Sequence, residues 1–405
     1  MSTRRVFCST LALVAAVGLT ATGGAATAAS HRARSYGIVK IGVLAPLDAG
    51  LTEFGKGIRN SVQVAVDQAN KRQAIPGWTI QLDAVNDSSD LVVGAAGAAT
   101  LVADPAVVGV VGTYNSGVAG QALPVFSPAH LALVSPSNTL TGLTLGPDPT
   151  NPSRPFDNYF RMVASDARQA PFLARSARKL GVKTVAVVSE TKAVSKGLAD
   201  AFADAFTNAG GRVTTRKVVP DGAVAADFTD FLSSALEPKL DMIFFGGEYQ
   251  VAATLRKEAT AKGFKKPIMG GDGIKDPAYI SGSGVPSTGD FASTVGVPAA
   301  KLKTAKAFFA AYKQAKFDTG PTDYGPYAYD AANLIIAAAK KALTGQTAIP
   351  ADARQQVVAA LQAAHAKGAT GPISFDAFGD TKNRIFTLYR VQKTNHGLDW
   401  VPFKP

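Results

Sequence analysis

A chain of 405 residues is too long for one ordinary hydrophobic core, so two domains are expected. With 46% apolar and 18% charged residues it reads as a soluble globular protein. The net charge of +12 is dispersed, with no run of more than two Lys or Arg, which argues against a nucleic-acid stripe and for surface solubility.

Residues 1–29 read as a secretion signal: Arg4 and Arg5, an apolar core over 11–19, then Ala26-Thr27-Ala28 and Ala29 as small-residue cleavage options. Removing them takes the net charge from +12 to +10. The only cysteine, Cys8, precedes the apolar core and would leave with it, so no disulfide, thiol nucleophile, lipid-bearing cysteine or thiolate metal site is expected. Beyond Leu19 no apolar run reaches eighteen residues. An exported, secreted product is expected, periplasmic or at the cell surface.

After a polar lead-in over 30–36, residues 38–44 form the first predicted strand and 46–54 a Gly-containing loop. Apolar residues at Ile58, Val62, Ala65, Val66 and Ala69 give 56–70 helical spacing. Pro76-Gly77 turns into an alternating strand over 78–85, and the polar run 86–90 caps a helix reaching about Ala103. Then comes Val107-Val108-Gly109-Val110-Val111-Gly112, the continuous β-branched run of a strand buried on both faces. Thr113-Tyr114-Asn115-Ser116-Gly117 follows, a helix over 118–126, and a second buried strand ending in Ser135-Pro136-Ser137-Asn138-Thr139. Strand and helix alternate throughout, which predicts a parallel sheet covered on both faces.

Four prolines make 146–158 a surface excursion before a crossing near 159–163. Alternation then resumes. Helices are predicted over 166–180, 195–209, 225–236 and 249–263, and strands over 184–189, 212–219, 242–245 and 267–270. Residues 281–289 read as a loop and 291–297 as a strand. The tail holds helical segments over 300–316, 324–343 and 351–366, then 371–376 and a final alternating strand over 384–391. The whole is an α/β chain of two doubly wound units.

Both buried strands of the first unit end in small hydroxyl and amide residues, at the carboxyl edge where open α/β sheets place ligands. Ser116 sits where an N-cap belongs, so the helix after it offers free N–H groups to an anion. The pattern points to a carboxylate-sized pocket that binds and performs no chemistry. Structural roles compete at each position. Ser116 could be a cap alone, Ser137 and Thr139 turn residues, and Asp272 a turn carboxylate between two glycines. Glu248 could cap the helix at Tyr249, and Phe54 and Tyr324 could be plain core aromatics.

The order of several short motifs resembles the extracytoplasmic solute-binding proteins of branched-chain amino-acid ABC importers, the leucine/isoleucine/valine-binding type. These are Lys40-Ile41-Gly42-Val43-Leu44-Ala45-Pro46-Leu47, Val110-Val111-Gly112 with Asn115-Ser116, and Ser135-Pro136 with Asn138-Thr139. Further on come Asn158-Tyr159-Phe160-Arg161, Phe244-Phe245-Gly246-Gly247, Met269-Gly270-Gly271-Asp272-Gly273 and Tyr327-Ala328-Tyr329-Asp330-Ala331-Ala332. The resemblance covers nearly all of residues 39–400.

It implies the type I periplasmic-binding-protein fold, two parallel-sheet lobes joined by three crossovers. One lobe would be 36–162 plus 294–386 and the other 163–293 plus 387–405, with the ligand in the cleft between. It further implies that Ser116 and Thr139 grip an amino acid's α-carboxylate and amine, beside Asn115 and the Ser137 backbone. Phe54 from the first loop and Tyr324 ahead of the long helix would wall the pocket. In the second lobe a closing aromatic is replaced by Val194 and a tyrosine by Glu248, with Tyr249 next to it. The acid for the ammonium is Asp272. The implied partners are a small carboxylate ligand and a membrane permease, with no nucleic acid and no cofactor, and a monomer is expected.

Two other readings stay open: a sensing module of the same fold, and a secreted α/β enzyme. Against the enzyme, His31, His130, His365 and His396 are isolated and lack zinc-helix spacing. There is no Gly-x-Ser-x-Gly elbow, dinucleotide fingerprint or phosphate loop.

Overall fold

The computed structural model describes residues 35–48, 50–236, 240–296 and 298–405. The signal-sequence reading of 1–29, with Cys8, lies outside them.

The first sheet is built from β1 (Gly37–Ala45), β2 (Trp78–Asn86), β3 (Val107–Gly112), β4 (Ala132–Ser135) and β5 (Tyr159–Arg161). Their order is β2-β1-β3-β4-β5, all parallel. The intervening helices are α1 (Thr52–Lys71), α2 (Leu91–Ala103), α3 (Ser116–Phe126) and the single turn α4 (Gly142–Leu145). Helix α1 buries Phe54, Ile58, Val62, Ala65, Val66 and Ala69, one stripe at helical spacing, on one face of the sheet. On the opposite face α2 and α3 bury Ala98, Leu101, Ala119, Ala122, Leu123 and Phe126 against Leu44, Val107 and Val110. Every residue of β3 is buried, as expected of a central strand covered on both sides.

After β5 the chain leaves this sheet and builds a second one. The elements are α5 (Asp166–Lys179), β6 (Thr184–Glu190), α6 (Ala193–Asn208), β7 (Arg212–Val219), α7 (Thr229–Ala235), β8 (Met242–Gly246), α8 (Tyr249–Ala261), β9 (Ile268–Gly270), α9 (Pro277–Ser283) and β10 (Phe291–Thr294). It then returns to the first unit with α10 (Lys306–Ala315), α11 (Gly325–Leu343), α12 (Ala353–Gln362) and the hairpin β11 (His365–Gly368) and β12 (Gly371–Ser374). Ile335 of α11 packs directly over Gly109 of β3, where a Cβ would lie 2.7 Å from its side chain. A third passage leads to β13 (Thr387–Thr394) and β14 (Gly397–Phe403). The second sheet runs β14-β13-β10-β9-β8-β6-β7, parallel from β7 to β10 and antiparallel over its last two strands.

Several local expectations are corrected. The helix expected over 351–366 stops at Gln362, and His365 begins a strand instead. The loop expected over 281–289 is the end of α9 followed by a single 3₁₀ turn, Val285–Ser287. The helix expected over 300–316 starts at Lys306 after two 3₁₀ turns, and the one over 225–236 is a 3₁₀ turn followed by α7. The last predicted strand is shifted to 387–394 and gains a partner, β14, which sequence reading missed. Phe54 belongs to the first turn of α1, not to a loop. Most of these differences fall at the ends of elements, where periodicity gives the weakest signal, and the strand differences fall where a partner strand sets the regularity.

Candidate functional site

The carboxyl ends of β3 and β4 form one wall of a cleft. β3 ends on Gly112, at φ 145°, where a Cβ would come within 2.1 Å of the Leu44 carbonyl oxygen; only glycine fits. The turn that follows is pinned from β4. The Ser135 hydroxyl donates to the Thr113 carbonyl at 3.1 Å and the Ser137 hydroxyl to the Tyr114 carbonyl at 3.0 Å. The Asn138 amide donates to both carbonyls, at 3.0 and 2.9 Å. Ser137 thus spends its hydroxyl on holding the loop.

Ser116 is the first residue of α3, and Asn115 occupies the N-cap without a capping side-chain bond. This corrects the expected N-cap role of Ser116. Its hydroxyl instead accepts the backbone N–H groups of Thr139 (3.2 Å) and Leu140 (3.3 Å), tying the two strand-end loops together. The first N–H groups of α3 have no acceptor within the helix, and Asn115 and Ser116 at its start line the cleft, which puts the helix's positive end there.

The opposite wall comes from the second sheet. Val194, Ser195 and Leu198 are on the first turns of α6, Gly247 and Glu248 lie between β8 and α8, and Asp272 follows β9. The Asp272 carboxylate accepts from Gln169 Nε2 at 2.8 Å and from the Tyr324 hydroxyl at 2.7 Å. Burial pushes its pKa up to about 6. Gln169 also donates to Asp166 at 3.1 Å. Burial, with Asp272 nearby, lifts the Asp166 pKa to about 7. Glu248 is the N-cap residue of α8, but its side chain makes no capping bond. It accepts from Asn115 Nδ2 at 3.0 Å and from Lys192 Nζ at 2.5 Å, while its N–H donates to Glu190 at 2.7 Å. Burial raises the Glu190 pKa to about 7, against the pull of Lys192.

The space between these walls is about 480 Å³ including its mouth. Of the expected site residues, Ser116, Ser137, Thr139, Asn115, Glu248, Asp272 and Tyr324 line it together. Phe54 and Tyr249 do not. Phe54 stacks on Tyr114 at 4.6 Å and Tyr249 meets Phe54 edge-on at 6.1 Å, so both pack behind Tyr114, which lines the cavity as Tyr324 does. Tyr114 is a lining residue that the sequence does not single out, although it lies between Thr113 and Ser116; nothing in a lone aromatic of a loop says which way it faces. Ser195 and Leu198 were missed too, and only the helical start after β6 hints at them. Two cavity-lining atoms, Asn115 Oδ1 and Ser195 Oγ, are buried without a protein partner.

Among the described residues, contacts that cross the cleft include three between polar side chains, Asn115 to Glu248, Tyr324 to Asp272 and Lys275 to Asp323 at 2.8 Å, and the Phe54–Tyr249 ring contact. His130, His365 and His396 are all exposed. Among the described residues no His, Cys, Asp and Glu group is placed to hold a metal, and no helix is long and apolar enough to cross a membrane.

The chain is similar to known proteins over this whole architecture. It is 29% identical over 355 residues to the Leu/Ile/Val-binding protein BraC3 of Rhizobium johnstonii, covering 87% of this chain and 91% of that one. A leucine-binding protein, LivK, of Thermotoga maritima superposes with a TM-score of 0.77 at 26% identity, over 91% of this chain and 99% of the other. The branched-chain amino-acid transporter substrate-binding protein LivJ of Streptococcus pneumoniae, in complex with isoleucine, gives 0.74 at 25% identity, over 90% and 100%. A model of the family described as periplasmic binding protein matches residues 38–396. Its span takes in both walls of the cleft and both sheets apart from β14, and the chain belongs to this family of non-catalytic, extracytoplasmic solute-binding proteins.

Proposed function

We propose that this protein is the exported substrate-binding subunit of an ABC importer, and that it carries an α-amino acid with a short aliphatic side chain. Residues 36–162 plus 294–386 and residues 163–293 plus 387–405 act as lobes that close on the ligand, and residues 1–29 serve as the export signal. The observation that carries this reading is the opposition, across one cavity, of the α3 amino end and the Asp272 carboxylate.

The α-carboxylate rests on the first N–H groups of α3 beside Ser116 and Thr139, where a helix dipole and hydroxyls favour an anion. The ammonium lies at Asp272, whose charge is costly to bury and which gains most from a cation. Tyr114, Val194 and Leu198 supply apolar surface for the side chain. Glu248 is already held by Lys192 and Asn115, so it serves as a clasp between lobes. Relatives named for leucine, isoleucine and valine support the ligand class. Closure on the ligand shifts the hinge equilibrium only by contacts made in the closed form, and that form is the one a permease would take up.

Titration calorimetry with leucine, isoleucine and valine tests it. Dissociation constants near the micromolar range, on the order of −8 kcal/mol, are expected. Leucine methyl ester and 4-methylpentanoate each lack one charged end and should bind about a hundredfold more weakly, roughly 3 kcal/mol. Equal binding of either analogue and leucine would overturn the assignment of the two ends.

A further inference from the structure

Gln169, on the first turn of α5, is fully buried and uses its whole side-chain amide. Its oxygen accepts from the Ser293 hydroxyl at 2.8 Å and from the Asp272 N–H at 3.3 Å. Its nitrogen donates to the carboxyls of Asp272 at 2.8 Å and Asp166 at 3.1 Å. Two donors at the oxygen and two acceptors at the nitrogen leave the amide one orientation. We propose that Gln169 is the positioning residue for the ligand's ammonium: it sets the Asp272 carboxylate in the cleft wall and fixes that acid relative to the Thr139 loop. The inference rests on the reading of Asp272 as the ammonium's partner.

The two oxygens of Asp272 are held by different donors, Oδ1 by Gln169 and Oδ2 by the Tyr324 hydroxyl, so the plane of the carboxylate is set from both sides. The turn that carries Gln169 also grips the other end of the site. The Asp166 N–H donates to the Thr139 carbonyl at 2.8 Å, and the Ala167 N–H to the Thr141 hydroxyl at 3.0 Å. One helical turn thus holds the loop for the ligand's carboxylate by its backbone and the acid for the ammonium by its one buried amide. The charges acting on the two acids are Arg161 of β5, on Asp166, and Asp323, ahead of α11, on Asp272. A neutral donor between two carboxyls favours the charged form of each and leaves Asp272 without a cation until the ligand brings one.

The test is titration calorimetry of leucine and of 4-methylpentanoate, which lacks the ammonium, on the wild type, Gln169→Met and Ser293→Ala. A carbon-13 NMR titration of the carboxyl groups in the ligand-free proteins accompanies it, with Asp272→Asn to assign the Asp272 signal. Gln169→Met keeps the bulk and removes both donors. It should weaken leucine about tenfold, the size of one hydrogen bond to a charged group, and leave 4-methylpentanoate within about twofold. The Asp272 carboxyl should titrate at higher pH in this variant, because the charged form has lost a donor. Ser293→Ala frees one side of the amide and should give the same pattern at about threefold. A folded Gln169→Met that weakens both ligands alike acts through the fold only, and one whose Asp272 titrates as in the wild type does not hold the acid; either result would overturn the proposal. If Gln169→Met does not fold, Ser293→Ala decides by the same two readouts. Wild-type protein that binds leucine no better than 4-methylpentanoate would sink the reading of the cleft, and the ligand-free titration would still decide whether Gln169 holds the acid.

Discussion

The side-chain amide of Asn115 reaches 3.0 Å across the cleft to the carboxylate of Glu248, joining the N-cap residue of α3 to the N-cap residue of α8. Each residue stands where its side chain could cap its own helix, and each reaches across the cleft instead. The helix ends are left open toward the cavity, and the two lobes are held by a charge-assisted bond.

Removing that bond should loosen the closed form. Asn115→Ala gives up a hydrogen bond to a charged group, about 1.5–3 kcal/mol, while Lys192 still holds Glu248. The ligand-free variant should show a larger radius of gyration by small-angle X-ray scattering and bind leucine about tenfold more weakly. Identical scattering curves for variant and wild type would show that the bond does not hold the lobes.

Ser116→Ala should damage both stability and binding. Its hydroxyl is the acceptor for the N–H groups of Thr139 and Leu140, and each buried group left unpaired costs about 1–3 kcal/mol. The melting temperature should fall by a few degrees, at roughly 1–2 °C per kcal/mol for a chain of this length, and leucine affinity should fall with it. A variant that melts with the wild type would refute the bridging role.

Stability and binding should respond to pH in opposite directions. Burial raises Asp166 and Glu190 to about 7, and Asp87, Asp272 and Asp290 to about 6, above the roughly 4 of an unfolded carboxyl. The folded state therefore binds protons more tightly than the unfolded one, and stability rises as pH falls from about 7 toward about 4. The ligand-free melting temperature should be higher at pH 5.5 than at pH 7.5, by roughly 2 °C or more. Ligand ammonium needs ionised Asp272, so leucine affinity should drop as pH falls through 6. Asp272→Asn should bind weakly at every pH and lose this dependence; a retained slope would place the titrating group elsewhere.

Two glycines on helices should answer oppositely to alanine. At Gly55 in α1 a Cβ would lie 1.8 Å from the Pro46 carbonyl oxygen, so Gly55→Ala must push the helix off the end of β1, at roughly 3 kcal/mol or more. At Gly120 in α3 a Cβ meets nothing within 4 Å, and Gly120→Ala should stabilise by about 0.5–1 kcal/mol. Chemical denaturation of the pair measures both.

Much of the frame was legible because burial on both faces writes itself into the chain. The run from Val107 to Gly112 is β-branched without polar interruption, and the stripe from Ile58 to Ala69 repeats at helical spacing. The polar ends of β3 and β4 located one wall of the cleft. The other wall was harder. Asp272 and Glu248 were found by resemblance, while Ser195 and Leu198 reach the cavity only through the placement of α6 against α3. Phe54 and Tyr114 show the limit best. Two stacked rings 4.6 Å apart belong to different segments, and only the tertiary fold decides which is in front. β11 and β14 left little signal because each takes its regularity from a partner strand.

The antiparallel β13–β14 pair has a bearing on how the molecule is made. β13 completes the second sheet alongside β10, and the Trp400 indole on β14 donates to the Asp276 carbonyl at 3.0 Å, four residues beyond Asp272. Strand β14 therefore steadies the loop that carries the acid. A chain halted before Gly397 already holds every strand of the first sheet but lacks β14 and the Trp400 bond, so the wall that carries Asp272 is the later of the two to be secured.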